Sequence, residues 1–133
     1  TEALRLLREG LNSSLAPELL TVAAGGSLHQ HLPDALGHEG HRPAPAVYGH
    51  QEITFVPGSR VAALMGDDRA VRCYHHQGVA DPGSLTVTGR APDGLVEAVE
   101  DPAKMFALGV QWHPEVVRDK RVFGALVAAA SSP

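Results

Sequence analysis

Hydrophobic side chains recur at helical spacing near both ends of the chain and at strand spacing through much of its middle. Over Thr1 to Leu11, Ala3, Leu4, Leu6, Leu7 and Leu11 fall on one side and Glu2, Arg5, Arg8 and Glu9 on the other, which predicts an amphipathic helix. Pro17 at a first helical position and Glu18 in the first turn predict a short second helix through Ala24, with Gly25-Gly26 as its C-terminal cap. The run Lys120 to Ala130, rich in Val, Leu and Ala, predicts a closing helix.

Between these ends the period shortens. Gln51 to Val56 and Val71 to Tyr74 read as strands, with a helical or turn segment at Val61 to Gly66. In Ser84 to Arg90, Leu85, Val87 and Gly89 alternate with Thr86 and Thr88, and Ala91-Pro92-Asp93-Gly94 supplies turn chemistry before Leu95 to Glu100; this predicts a β-hairpin. Phe106 to Trp112 is a short apolar strand. From Leu32 to Tyr48, Pro33, Gly37, Gly40, Pro43 and Pro45 interrupt any regular pattern, and a long surface loop is expected.

Composition narrows the class. With 133 residues, 44% of them hydrophobic and 20% charged, and a net charge of -4, the chain suits one globular domain and not a disordered one. Its apolar runs fall short of the roughly 18 to 20 residues of a membrane helix, and no basic segment precedes an apolar one as in a signal peptide. A cytoplasmic protein without a membrane partner is expected. The 11 Lys and Arg residues are scattered, which argues against nucleic acid. The single cysteine, Cys73, excludes an internal disulfide and fits a reducing compartment.

The densest chemistry lies in Gly109-Val110-Gln111-Trp112-His113-Pro114-Glu115. A histidine at a strand end is held rigidly with its ring exposed, Pro114 turns the chain out of pairing, and Glu115 can return to hold one ring nitrogen. Two further motifs accompany it: Gly25-Gly26-Ser27-Leu28-His29-Gln30-His31-Leu32-Pro33-Asp34, and Cys73-Tyr74-His75-His76-Gln77 followed by Arg90 to Ala98.

In the order and interval of these three motifs the chain resembles the class I glutamine amidotransferase group, and within it the γ-glutamyl-γ-aminobutyrate hydrolase branch of the cysteine peptidases (peptidase family C26). The resemblance implies an α/β fold, a flavodoxin-like three-layer sandwich with a mostly parallel sheet between helices, and a Cys-His-Glu triad that hydrolyses γ-glutamyl amides through an acyl-enzyme. By the match, His113 would be the general base and acid and Glu115 its orienter. Tyr74, His75, His76 and Gln77 would line the glutamyl pocket. No cofactor or metal is implied. His29, His31, His38 and His41 cluster in sequence, but no carboxylate or thiol there completes an ordered ligand set.

The chain departs from that pattern at its start. Members of the group run to roughly twice this length, as does a typical open α/β domain, so the fold is expected to be truncated on its N-terminal side. On this reading residues 1–133 form one partial domain, with 1–24 a helical remnant around a lost nucleophile elbow and 25–133 the part that carries the histidine and glutamate. A Cys-Arg-Gly elbow would fall eleven residues before Gly25, where Ser14-Leu15-Ala16 stands. Cys73, on a strand, is expected to be a small buried hydrophobe and not a substitute nucleophile. A truncated sheet would leave an exposed edge. Association with a second copy, or with a chain carrying the missing part, is therefore expected, as is a catalytically inactive remnant if no thiol is supplied.

Overall fold

The computed structural model describes residues 16–44, 48–104 and 106–131, without the side chains of Ala16, Glu115 and Val117. The helix expected over Thr1 to Leu11 lies outside them. Helix α1 (Ala16–Ala23) ends as the glycines foretell: Gly25 takes φ 82°, and the amides of Gly25 and Gly26 bond back to the carbonyls of Val22 and Thr21. Strand β1 (Ser27–His29) follows, and then helix α2 (Leu32–Leu36).

That second helix corrects the expected surface loop over 32–48. Pro33 sits in its first turn, where a missing amide costs nothing, and Gly37 at φ 78° closes it. Leu32 and His41 from this segment are buried. The Pro and Gly content punctuates the segment without expelling it from the interior.

The remaining elements are β2 (Gly49–Glu52), β3 (Thr54–Phe55), α3 (Arg60–Met65), β4 (Ala70–Cys73), β5 (Gly78–Asp81), β6 (Thr86–Arg90), β7 (Val96–Glu100), β8 (Leu108–Val110), a 3-10 turn (Pro114–Val117) and α4 (Arg121–Ala130). Among the described residues they form three ladders: β1-β5, β2-β4 and β3-β6-β7-β8. Every pairing in them is antiparallel. The α/β class expected from the sequence holds, while none of the parallel pairings that the resemblance implies for the whole fold falls among the described residues. The links from β6 to β7 and from β7 to β8 are too short for a crossover, which needs about a dozen residues or more, so this part of the chain must meander.

Strand β7 is central. All five of its residues are buried, with Ala98 in a core cluster that includes Ile53, Phe106 and Trp112, and with Val96 and Val99 in a second one around Leu20, Val79 and Leu85. Its two carboxylates are not stranded. Glu100 accepts from the amides of Arg60 and Val61 at 3.0 and 3.2 Å, which satisfies donors that have no partner within α3. Glu97 turns into a polar cluster described below. Among the described residues no helix is long and apolar enough to cross a membrane.

Candidate functional site

His113 stands three residues past the end of β8, immediately before the 3-10 turn that carries Glu115. Its backbone amide donates to the carbonyl of Arg72 at 2.9 Å, tying the strand end to β4. The ring is buried and meets Tyr48 edge-on, centroids 5.6 Å apart at 80°. Tyr48 in turn lies 5.3 Å from the ring of Tyr74, over which the Arg42 guanidinium sits at 5.6 Å. So His113, Tyr48 and Tyr74 form one aromatic group.

The four residues expected to line a glutamyl pocket part company at β4. Tyr74 joins the His113 group. His75 is buried and turns towards β7, where its Nε2 lies 3.1 Å from Glu97 Oε1. His76 is largely exposed, 3.3 Å from the Arg42 guanidinium, and partial desolvation together with that cation holds its pKa below the ordinary value. Gln77 donates to Gln30 at 3.1 Å. A cavity of about 160 Å³ opens beside them, lined by His31, Leu32, His38, Arg42, His75 and His76 among others.

Cys73 is fully buried, with Sγ 3.8 Å from both oxygens of Glu97. Burial and the adjacent carboxylate push its thiol well above the ordinary range. A reactive thiol needs the opposite surroundings, electropositive and partly open, so the sequence expectation of an inert Cys73 agrees with its environment.

Sequence reasoning passed over the polar cluster that Cys73 belongs to. His41 is drawn from the 38–44 segment into the interior, where Nε2 meets Asp93 Oδ2 at 2.6 Å and Nδ1 lies 3.0 Å from Glu97 Oε1. Burial opposes its charge, but Glu97 and Asp93 outweigh that and raise the His41 pKa; burial likewise opposes charge on Glu97 and Asp93, yet their contacts, His41 foremost among the side chains, hold both below the usual carboxylate range. The available signal was Glu97 itself, a carboxylate between Val96 and Ala98 in a strand otherwise shaped for the core.

The described residues form a mixed α/β fold. Consistent with it, the glutaminase domain of Trypanosoma brucei CTPS, solved with bound acivicin, superposes with a TM-score of 0.54 at 24% identity, over 63% of this chain and 39% of that one. The family model of peptidase C26 matches residues 16–115, and the chain belongs to that family. A Mycobacterium tuberculosis protein, named provisionally as a glutamine amidotransferase, is 48% identical over 116 residues, covering 86% of this chain and 38% of the relative. The γ-glutamyl-γ-aminobutyrate hydrolase of Escherichia coli K12 is 42% identical over 106 residues, covering 72% of this chain and 41% of the relative. The chain thus spans about two fifths of the length of the curated relatives it matches.

Proposed function

We propose that this chain contributes the histidine and glutamate half of a γ-glutamyl amide hydrolase, with His113 as the proton shuttle and Glu115 as its orienter. A thiolate attacks the γ-carbonyl, His113 gives its proton to the departing amine, and the thioester that remains is hydrolysed as His113 takes a proton from water. One amide and one water yield glutamate and an amine.

The observation that carries this reading is the anchoring of His113: fixed backbone, a buried ring and an aromatic wall of Tyr48 and Tyr74. Such fixation supports general acid and base work, which needs a ring held in one geometry. His75 and His76 line the neighbouring cavity, and in this proposal Tyr74 and Gln77 join them around the glutamyl group.

The nucleophile is not Cys73, for the reasons of burial already given. In this proposal the thiol comes from outside these 133 residues, on another segment of a parent protein or on an associated chain. The buried state of the single cysteine favours a second reading for the chain by itself: a module that binds γ-glutamyl ligands without turning them over.

The test is glutamate release from γ-glutamyl-γ-aminobutyrate by the natural protein, before and after iodoacetamide. Turnover that iodoacetamide abolishes and that His113→Asn lowers by orders of magnitude supports the hydrolase. Saturable γ-glutamyl binding with no turnover moves the chain to the second reading.

A further inference from the structure

The cluster around Glu97 joins four chain segments and contains the side chains that hold transition metals. His41 comes from the loop after α2, Cys73 from the end of β4, His75 from the turn beyond it and Glu97 from the second position of β7. All four are buried, and one donor atom from each falls within 4.8 Å of all the others.

The hydrogen bonds outside the cluster fix which atoms face inward. His75 Nδ1 lies 3.0 Å from the carbonyl of Gln77, which can only accept, so Nδ1 carries the proton and Nε2 points at Glu97. His41 Nε2 lies 2.6 Å from the Asp93 carboxylate and donates to it, so Nδ1 points at Glu97. Asp93 is itself held by the amide of Leu95 and by His38. Each imidazole is thus oriented by an outer acceptor, one a backbone carbonyl and one a carboxylate, as in protein zinc sites.

Two imidazole nitrogens and the Cys73 thiol, which donates to Glu97, converge on one buried carboxylate. His41 Nδ1 lies 3.0 Å from Glu97 Oε1 as an ion-pair contact, without the alignment of a full hydrogen bond. A buried donor or acceptor in this state is costly. Extra protons on both rings would relieve it, and so would a cation.

The spacing suits a cation. Metal–ligand bonds of about 2.0 to 2.1 Å to nitrogen or oxygen and 2.3 Å to sulfur place tetrahedral N···O edges near 3.3 Å and S···O edges near 3.6 Å. The observed separations are 3.0 and 3.1 Å for the two N···O pairs and 3.8 Å for S···O. Charge agrees as well, because a divalent ion with one thiolate and one carboxylate is neutral, the form that a dry interior accepts at least cost.

We propose that His41 Nδ1, Cys73 Sγ, His75 Nε2 and a Glu97 oxygen form a closed four-ligand site for one Zn²⁺ ion. Four protein ligands leave no open position, so the ion is structural: it clamps the 38–44 segment and the His75-His76 turn onto β7 and shapes the neighbouring cavity. This departs from the sequence expectation of no metal. It uses His41 but none of the other three clustered histidines as a ligand, and the thiol and carboxylate come from distant strands.

The test is made on the natural protein, stripped with a chelator and reloaded with Zn²⁺ or Co²⁺. One tightly held zinc per chain is expected, with the visible spectrum of tetrahedral Co²⁺ and a thiolate-to-cobalt band in the near ultraviolet. Cys73→Ser should abolish that band and weaken zinc binding at least about tenfold, while His29→Asn leaves both unchanged. Should Cys73→Ser fail to fold, the wild-type cobalt spectrum decides alone. Folded protein that takes up no stoichiometric zinc, or cobalt without a thiolate band, overturns the proposal. Neither result depends on whether γ-glutamyl amides are hydrolysed.

Discussion

Gly26 packs against the carbonyl oxygen of Asp81 so closely that a Cβ at position 26 would overlap it, and would also approach Thr21 Cγ2 to 2.6 Å and the amide of Gly83 to 2.9 Å. This contact seats the end of α1 on the turn after β5. Its neighbour differs: Gly25 adopts φ 82° with open space around it. Gly25→Ala should therefore cost only the left-handed conformation, roughly 1 kcal/mol, and Gly26→Ala about 2 kcal/mol or more, since backbone must move. Denaturant unfolding of the two variants reads the order directly, and the reverse order would contradict this account of the cap.

Tyr48 holds the His113 ring edge-on. In the natural protein, Tyr48→Ala should lower kcat for γ-glutamyl amide hydrolysis by roughly tenfold or more through loosened ring placement, and Tyr48→Phe should keep most of the activity because the aromatic edge remains. Steady-state kinetics of both variants checks this; equal loss in the two would assign the effect to the hydroxyl instead.

Glu18 lies buried in the first turn of α1, and burial is the main cause that raises its pKa to about 7, with His75 and Gln111 opposing and Glu97 reinforcing. The folded chain then keeps a proton that the unfolded chain gives up nearer pH 4.5, so stability falls as pH rises from about 4.5 to about 7 and levels off above. The penalty is on the order of 3 kcal/mol at most. Glu18→Gln should be more stable than wild type at pH 8 and nearly equal to it at pH 4.5. Urea unfolding at the two pH values measures the difference, and a constant gap between the proteins would refute the assignment.

Arg121 joins two helices. Its guanidinium donates to the carbonyl of Met65 at the end of α3 at 3.0 Å, to Asp119 at 2.6 Å and to Asp68 at 2.8 Å. Exposed ion pairs are weak singly, but this fork also satisfies a helix-terminal carbonyl, and Arg121→Met should cost about 1 to 2 kcal/mol. Asp119 is held below the usual carboxylate range, chiefly by its bond to Arg121. That stabilisation is present above the unfolded carboxylate pKa and is lost as pH falls through the folded one, so Arg121→Met should flatten the acid limb of the stability profile. A pH series of thermal melts reads both effects.

What the sequence made legible was local. The hairpin of β6 and β7 follows from alternation around Ala91-Pro92-Asp93-Gly94, and the cap at Gly25-Gly26 from glycine chemistry; His113 at a strand end came from one short motif. What it hid was long-range. Leu32 and His41 were assigned to solvent because Pro and Gly surround them, yet His41 is pulled inward by Asp93 and Glu97, which lie more than fifty residues away. Strand β5 went unseen because Gly78 to Asp81 is too short to show a period. The mostly parallel sheet was an expectation from resemblance, and the short links of this region build antiparallel ladders instead.

Among the described residues the three ladders share no hydrogen-bonded strand, yet Glu97 on β7 reaches Cys73 on β4 and the loop residues His41 and His75. Backbone pairing alone would let each ladder open by itself. That side chain, together with the apolar clusters that join β7 to β4 and β5, makes their opening interdependent, so that cooperativity resides in side chains packed across β7 and not in a continuous sheet.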